Sequence, residues 1–169
     1  MLRELRQPVL AAINGPAVGG GFDLMLHCDI RVASEDAKMG PIWVNNGVIP
    51  GLGAMQLLPR LIGQGRATEM ILRGRKITGK EAADIGLVHK AVPRIRLERE
   101  IMHIAEDIAG KPRLAIECAK RGIWRAVGPD LEYELEHTLY LQSMLFKTED
   151  FKESLSAFLE KRNPIFSKK

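Results

Sequence analysis

An α/β core followed by a helical C-terminal region is the fold class that this sequence predicts, and three observations carry the prediction. Of its 16 glycines, 13 fall in residues 1–94 and three in residues 95–169, so the tight turns belong to the first part. The first part also holds short apolar runs closed off by Pro, Asn and Gly, the mark of strands in a sheet. From Leu97 onward apolar residues recur every three to four positions, the spacing of amphipathic helices. The change comes near Pro93 and sets two regions, 1–94 and 95–169.

Residues 8–13 (Pro-Val-Leu-Ala-Ala-Ile) end at Asn14-Gly15 and predict a strand buried on both faces. The turn Gly15-Pro16-Ala17-Val18-Gly19-Gly20-Gly21 leads into a helix over about 20–28. A second strand is expected over 29–33, closed by a polar turn at 34–36. Residues 39–54 contain Gly40, Pro41, Gly47, Pro50, Gly51 and Gly53 and read mostly as loop. Short helices follow over 55–62, 66–72 and 79–85, the last with Thr78 as its N-cap. In the second region Ile101, Ile104, Ala105 and Ile108 share one helical face, and Leu114, Ala115, Cys118, Ala119 and Ile123 another. Gly128-Pro129-Asp130 precedes a third helix to about residue 146. A fourth spans 150–161 with Phe151, Leu155, Phe158 and Leu159 facing inward. Helices with such faces and no pocket-forming loops serve packing or assembly.

With 46% hydrophobic and 27% charged residues, the 169-residue chain can bury enough apolar surface to offset its chain entropy, which disfavours disorder. No apolar run reaches the roughly 18 residues of a membrane span. Residues 1–7 carry both signs of charge where a secretory leader would be apolar. Cys28 and Cys118 are too few and too distant for a disulfide framework or a metal cage, so a reducing cytoplasm is expected. The net charge of +4 arises in residues 1–94, where 12 Lys+Arg stand against 8 Asp+Glu, but it is scattered. It lacks the basic stripe and interleaved aromatics of a nucleic-acid surface. No metal, nucleic-acid or membrane partner is expected.

The chemical signal is Gly19-Gly20-Gly21, directly after one strand and before a helix. Such glycines let a ligand approach the backbone, and the unpaired amides at a helix start can hold a phosphate or an oxyanion. Tight strand–helix packing explains the same glycines without a ligand. The spacing is not the dinucleotide fingerprint. Asp23 lies in the first turn of that helix, where the dipole stabilises an acid whether or not it does chemistry. Asp29 reads as a structural hydrogen-bonder. His27, His89, His103 and His137 lack partners at metal-ligand or triad spacing and read as packing or surface residues.

The wider stretch from Gln7 through Asn14-Gly15-Pro16, Gly19-Gly20-Gly21-Phe22-Asp23 and Cys28-Asp29-Ile30-Arg31-Val32-Ala33 resembles the enoyl-CoA hydratase/isomerase (crotonase) family. The resemblance continues through Ile49-Pro50-Gly51-Leu52-Gly53, Ala82-Ala83-Asp84-Ile85-Gly86-Leu87-Val88 and Ala157-Phe158-Leu159-Glu160-Lys161-Arg162. It implies a partial crotonase-like ββα spiral core over 1–94 and a trimerisation-type helical region over 95–169. It also implies a site for acyl-CoA thioesters whose enolate two backbone amides stabilise. By position the second of those amides is that of Gly20, beside Gly19. Coenzyme A enters as part of the substrate, with no separate cofactor, and a homo-oligomer, trimer or hexamer, is implied. Lys161 matches a position that contacts the CoA moiety; a solvated charge fits it equally.

Two departures bear on activity. Hydratases of the family use two glutamates around the bound water. Here the first position is Asp23 and the second, twenty residues on, is Trp43. An indole cannot exchange a proton at neutral pH, so straightforward hydration does not follow and Trp43 reads as a pocket wall. Asp at the first position resembles the dienoyl-CoA isomerase branch, which keeps an acid at the second. Trp at the second resembles the chlorobenzoyl-CoA dehalogenase branch, whose nucleophilic Asp position is here Gly51. Asn45 and Asn46 are the polar side chains near Trp43. Family members also carry a further N-terminal portion with the first oxyanion amide, whereas residues 1–6 resemble the end of the helix before the glycine-turn strand.

Three functions remain open on these residues. One is an acyl-CoA-thioester enzyme, a lyase or isomerase of fatty acid metabolism, in which Gly20 supports the enolate and Asp23 moves a proton or orients water. Another is a non-catalytic acyl-CoA-binding or assembly protein of the same fold. The third is a CoA-thioester hydrolase with water activated by Asp23 alone.

Overall fold

The structure, a computed structural model, describes residues 2–46, 49–125, 144, 146–162 and 164–166. It divides into two units, one of Leu2 with Val9–His103 and the other of Arg3–Pro8 with Ile104–Lys169. The boundary falls between His103 and Ile104, whereas the composition changes near Pro93.

The first unit runs β1 (Leu10–Ile13), β2 (Ala17–Val18), α1 (Gly20–Leu26), β3 (Ile30–Ser34), β4 (Lys38–Gly40) and a 3₁₀ turn (Ile42–Asn46). It continues with α2 (Ala54–Ile62), α3 (Gln64–Leu72), β5 (Ile77–Thr78), α4 (Gly79–Asp84) and β6 (Lys90–Val92). One sheet has the order β1-β3-β6, parallel throughout, with Ile13 opposite Ala33 and Val32 opposite Lys90. A smaller sheet has the order β2-β4-β5, in which β4 pairs parallel with β2 and antiparallel with β5. Phe22, Leu26, Val32, Met39, Leu58 and Leu87 are fully buried and form the core that holds α1 on the sheets. Thr78 caps α4 as expected, in a reciprocal capping box with Glu81.

Strands β2, β4 and β5 have two or three residues each, too few for an alternation to show in sequence. Strand β1 corrects one expectation. Ala12 is exposed and only Ile13 of the strand is buried, because among the described residues β1 pairs on one side alone, with β3.

Helix α5 (Leu97–Ala109) follows, and its expected face of Ile101, Ile104, Ala105 and Ile108 is half-buried. Helix α6 (Arg113–Arg125) buries Cys118 of the face its apolar residues predict, together with two charged residues beside it. Glu117, Cys118 and Lys120 are buried, while Leu114, Ala119 and Ile123 are exposed. Polar partners make this possible: Lys120 Nζ donates to the Gln7 carbonyl at 2.9 Å, and Arg113 Nε to Glu117 at 2.7 Å. The expected third helix lies outside the described residues, apart from Met144 and Phe146. Helix α7 (Glu149–Glu160) buries Ala157 and leaves Phe151, Leu155 and Leu159 exposed, so its apolar face is not the inner one. The Phe158 side chain is outside the described residues.

Candidate functional site

The glycine turn is built by a conformation that only glycine adopts cheaply. Gly19 sits at φ 55° and ψ −125°, strained for any L side chain. Its carbonyl accepts the Asp23 N–H at 3.0 Å, which opens α1, and its own N–H reaches the Gly40 carbonyl at 3.4 Å. The amides of Gly20 and Gly21, in the first turn, find no acceptor among the described residues. Backbone N–H groups so placed offer themselves to an external oxygen.

Asp23 comes next in the same turn and is fully buried. Its Oδ2 accepts the Leu52 N–H at 3.2 Å, and its Oδ1 accepts the Trp43 Nε1–H at 3.4 Å. One turn further along α1, His27 Nε2 bonds the Leu52 carbonyl at 2.6 Å. A carbonyl only accepts, so Nε2 carries the hydrogen. Leu52 is therefore held at both backbone groups by two side chains of one helix face. His27 Nδ1 is left buried without a partner among the described residues. The Trp43 ring lies against the glycine turn: a Cβ built on Gly19 would stand 3.8 Å from it.

The fold thus brings Trp43 to Asp23 and Gly19, which share one turn with Gly20. Gly51 is exposed and precedes Leu52, with open space around it. Lys161 belongs to the other unit. It is exposed, follows α7 and sits in the left-handed region at φ 55°. Arg162 closes that helix end: its N–H bonds the Ala157 carbonyl at 3.0 Å and its guanidinium clamps Glu153 and Glu160. The guanidinium and the Ile165 N–H hold the Glu153 carboxyl down at about 2.

Sequence reasoning missed Leu52 and His27. Leu52 acts through its backbone, which no side chain announces, and the one signal for His27 is its i+4 spacing from Asp23. In β3, buried Arg31 donates to the carbonyls of Leu87 at 2.9 Å and Cys28 at 2.6 Å. Burial pushes its guanidinium below the ordinary value. The Arg31 N–H donates to His89 Nδ1 at 3.1 Å, and burial of that edge, with the Arg31 charge, pushes the imidazole down. Asp29 accepts the Val9 N–H at 2.7 Å, a structural bond. Among the described residues no group of three His, Cys, Asp or Glu could hold a metal ion, and no helix is long and apolar enough to cross a membrane.

A sequence model of the enoyl-CoA hydratase/isomerase family matches residues 1–169. The chain belongs to that family. It is 37% identical over 169 residues to the crotonyl-CoA hydratase of Syntrophomonas wolfei, covering 100% of this chain and 65% of the relative. It is also 37% identical over 168 residues to a peroxisomal Delta(3,5)-Delta(2,4)-dienoyl-CoA isomerase of Arabidopsis thaliana, covering 99% and 60%. Among solved structures, an enoyl-CoA hydratase from Bacillus anthracis superposes with a TM-score of 0.96 at 43% identity, over 99% of this chain and 65% of that one. The chain spans 60–65% of the length of the curated relatives it matches. The crotonase fold expected from the glycine turn and its flanks is therefore present. Two relatives named for different reactions stand at equal identity, so overall likeness does not separate hydration from isomerisation in this enoyl-CoA hydratase/isomerase-family chain.

Proposed function

We propose that the chain carries the acyl-CoA-thioester site of an enoyl-CoA hydratase/isomerase-family enzyme. The Gly20 N–H receives the thioester oxygen as it gains enolate charge, and Asp23 moves a proton or orients water beside it. The observation that supports this most is the pair of amides at Gly20 and Gly21, without an acceptor among the described residues, three and two residues before the Asp23 carboxylate. A preorganised amide aimed at an oxyanion contributes about 10²–10³ in rate. Gly19, Trp43 and Gly51 line the acyl end, and Lys161 meets the CoA moiety. The chain works in the cytoplasm as a homo-oligomer, trimer or hexamer. Exposed Leu114, Ile123, Leu155 and Leu159 supply apolar surface for assembly.

One observation favours a second reading, a non-catalytic acyl-CoA binder. Asp23 is fully buried and both its oxygens already accept N–H groups, one from the indole at the second acid position. Incubation with crotonyl-CoA separates the readings. A product heavier by one water supports hydration, and free CoA marks a hydrolase. Unchanged substrate, together with a melting temperature raised by butyryl-CoA, marks a binder. At about 100 times its dissociation constant a ligand adds roughly 2.7 kcal/mol, a shift of several degrees. Asp23→Asn abolishes turnover if the acid is chemical; turnover unchanged in that variant overturns the assignment.

A further inference from the structure

The 3₁₀ turn Ile42–Asn46, which carries Trp43, contributes no buried residue to the core. Ile42, Trp43 and Val44 are only half-buried, so polar tethers add to packing in placing the turn. The indole bond to Asp23 is one of them, but at 3.4 Å it lies at the long end for an N–H donor and is a weak hold by itself. The second is Asn45, whose Nδ2 donates to the Gly74 carbonyl at 3.0 Å.

Gly74 is built for that role. It follows α3 in the left-handed region at φ 54°. Its N–H bonds the Ile71 carbonyl and the next N–H, of Arg75, bonds that of Met70, each at 3.1 Å. This double closure of the helix fixes the direction of the Gly74 peptide. A Cβ on Gly74 would collide with the Asn45 amide, and one on Gly40 would collide with the Arg75 carbonyl. The segment before and within the 3₁₀ turn thus lies flush against the α3–β5 turn at two successive points.

We infer that Asn45 is a positioning residue: its bond to Gly74 holds the Trp43 indole on Asp23 and against Gly19. Its effect on ligand binding rests on the acyl-CoA reading given above, while its effect on the indole does not. Substituting Asn45 frees the turn, lets the indole leave Asp23 and changes the wall beside the Gly20 amide.

The test uses a Trp124→Phe background, which leaves Trp43 as the sole indole. Emission, acrylamide quenching and butyryl-CoA titration are compared for the parent, Asn45→Ala, Asn45→Asp and Gly74→Ala. Aspartate keeps the shape but cannot donate to a carbonyl, so it is expected to behave as alanine does. Both Asn45 variants should red-shift native Trp43 emission, raise its quenching and weaken butyryl-CoA about fivefold, the change one net hydrogen bond makes. Gly74→Ala, which pushes on Asn45 from the other side, should shift emission the same way. A role confined to global stability would lower the denaturation midpoint and leave native emission unchanged. Unchanged native emission in both Asn45 variants, or parent-like behaviour of Asn45→Asp, overturns the proposal. If the parent fails to bind butyryl-CoA, the acyl-CoA reading fails, and the emission result alone still decides the role of Asn45.

Discussion

The indole N–H of Trp43 and the carboxylate of Asp23 are hydrogen-bonded although twenty residues separate them, and the Leu52 N–H donates to the carboxylate's other oxygen. The residue twenty positions after Asp23 is thus a donor that turns toward it. Asp23 is buried and the Trp43 ring lies against Gly19, so changes at either residue reach both the core and the glycine turn.

Trp43→Phe keeps a ring against Gly19 and removes the donor to a buried carboxylate. One lost hydrogen bond of this kind is worth about 1 kcal/mol. Urea denaturation should show a loss of that order with an unchanged slope. A variant as stable as the parent would mean that the 3.4 Å contact contributes nothing.

Gly19→Ala tests backbone against space. The added methyl would meet the Trp43 ring at 3.8 Å, an ordinary contact, so crowding is not the difficulty. The conformation is: φ 55° with ψ −125° should cost about 1–3 kcal/mol in an L residue. A correspondingly lower melting temperature is expected, and it should persist in a Trp43→Ala background.

Acid stability should depend on His89. The folded chain holds this imidazole below its ordinary value of 6.5, first through burial of the ring edge and then through the Arg31 charge. Protonation is therefore harder folded than unfolded. The contribution is fully present above about pH 6.5 and is lost as pH falls through the lowered folded value. His89→Asn removes the titration, so its stability should fall less steeply than the parent's over that window. Parallel slopes would remove His89 from the account.

At the end of α7, Arg162→Ala should release the segment that follows. The Ile165 N–H donates to Glu153 at 2.8 Å, and the same carboxylate takes the Arg162 guanidinium. Hydrogen exchange at the Ile165 amide should accelerate in the variant while that of mid-α7 amides does not. Equal acceleration throughout the helix would mean that Arg162 holds α7 as a whole.

Much of the fold was legible in the residues. The apolar run at 8–13, the helix after Gly19, the Thr78 cap and the period after Leu97 each correspond to an observed element. Local chemistry decides such elements, and the periods of 2 and 3.6 write it into neighbouring residues. Strands β2 and β5 escaped because two residues carry no period. The charged part of the buried face of α6 escaped because Lys120 and Glu117 are buried on the strength of partners, Gln7 and Arg113, that hydrophobicity does not register.

By itself the sequence determined the family and the place of the glycine turn, because a turn at φ 55° demands glycine and the surrounding motif repeats the family's own. The tertiary structure decided what the turn's neighbours do. That Trp43 and Leu52 converge on one carboxylate, that His27 clamps the opposite side of Leu52, and that Asn45 ties its turn to Gly74 are long-range polar contacts. Such bonds depend on how elements pack in space. Spacing along a chain reports only the neighbours that a helix or strand repeats.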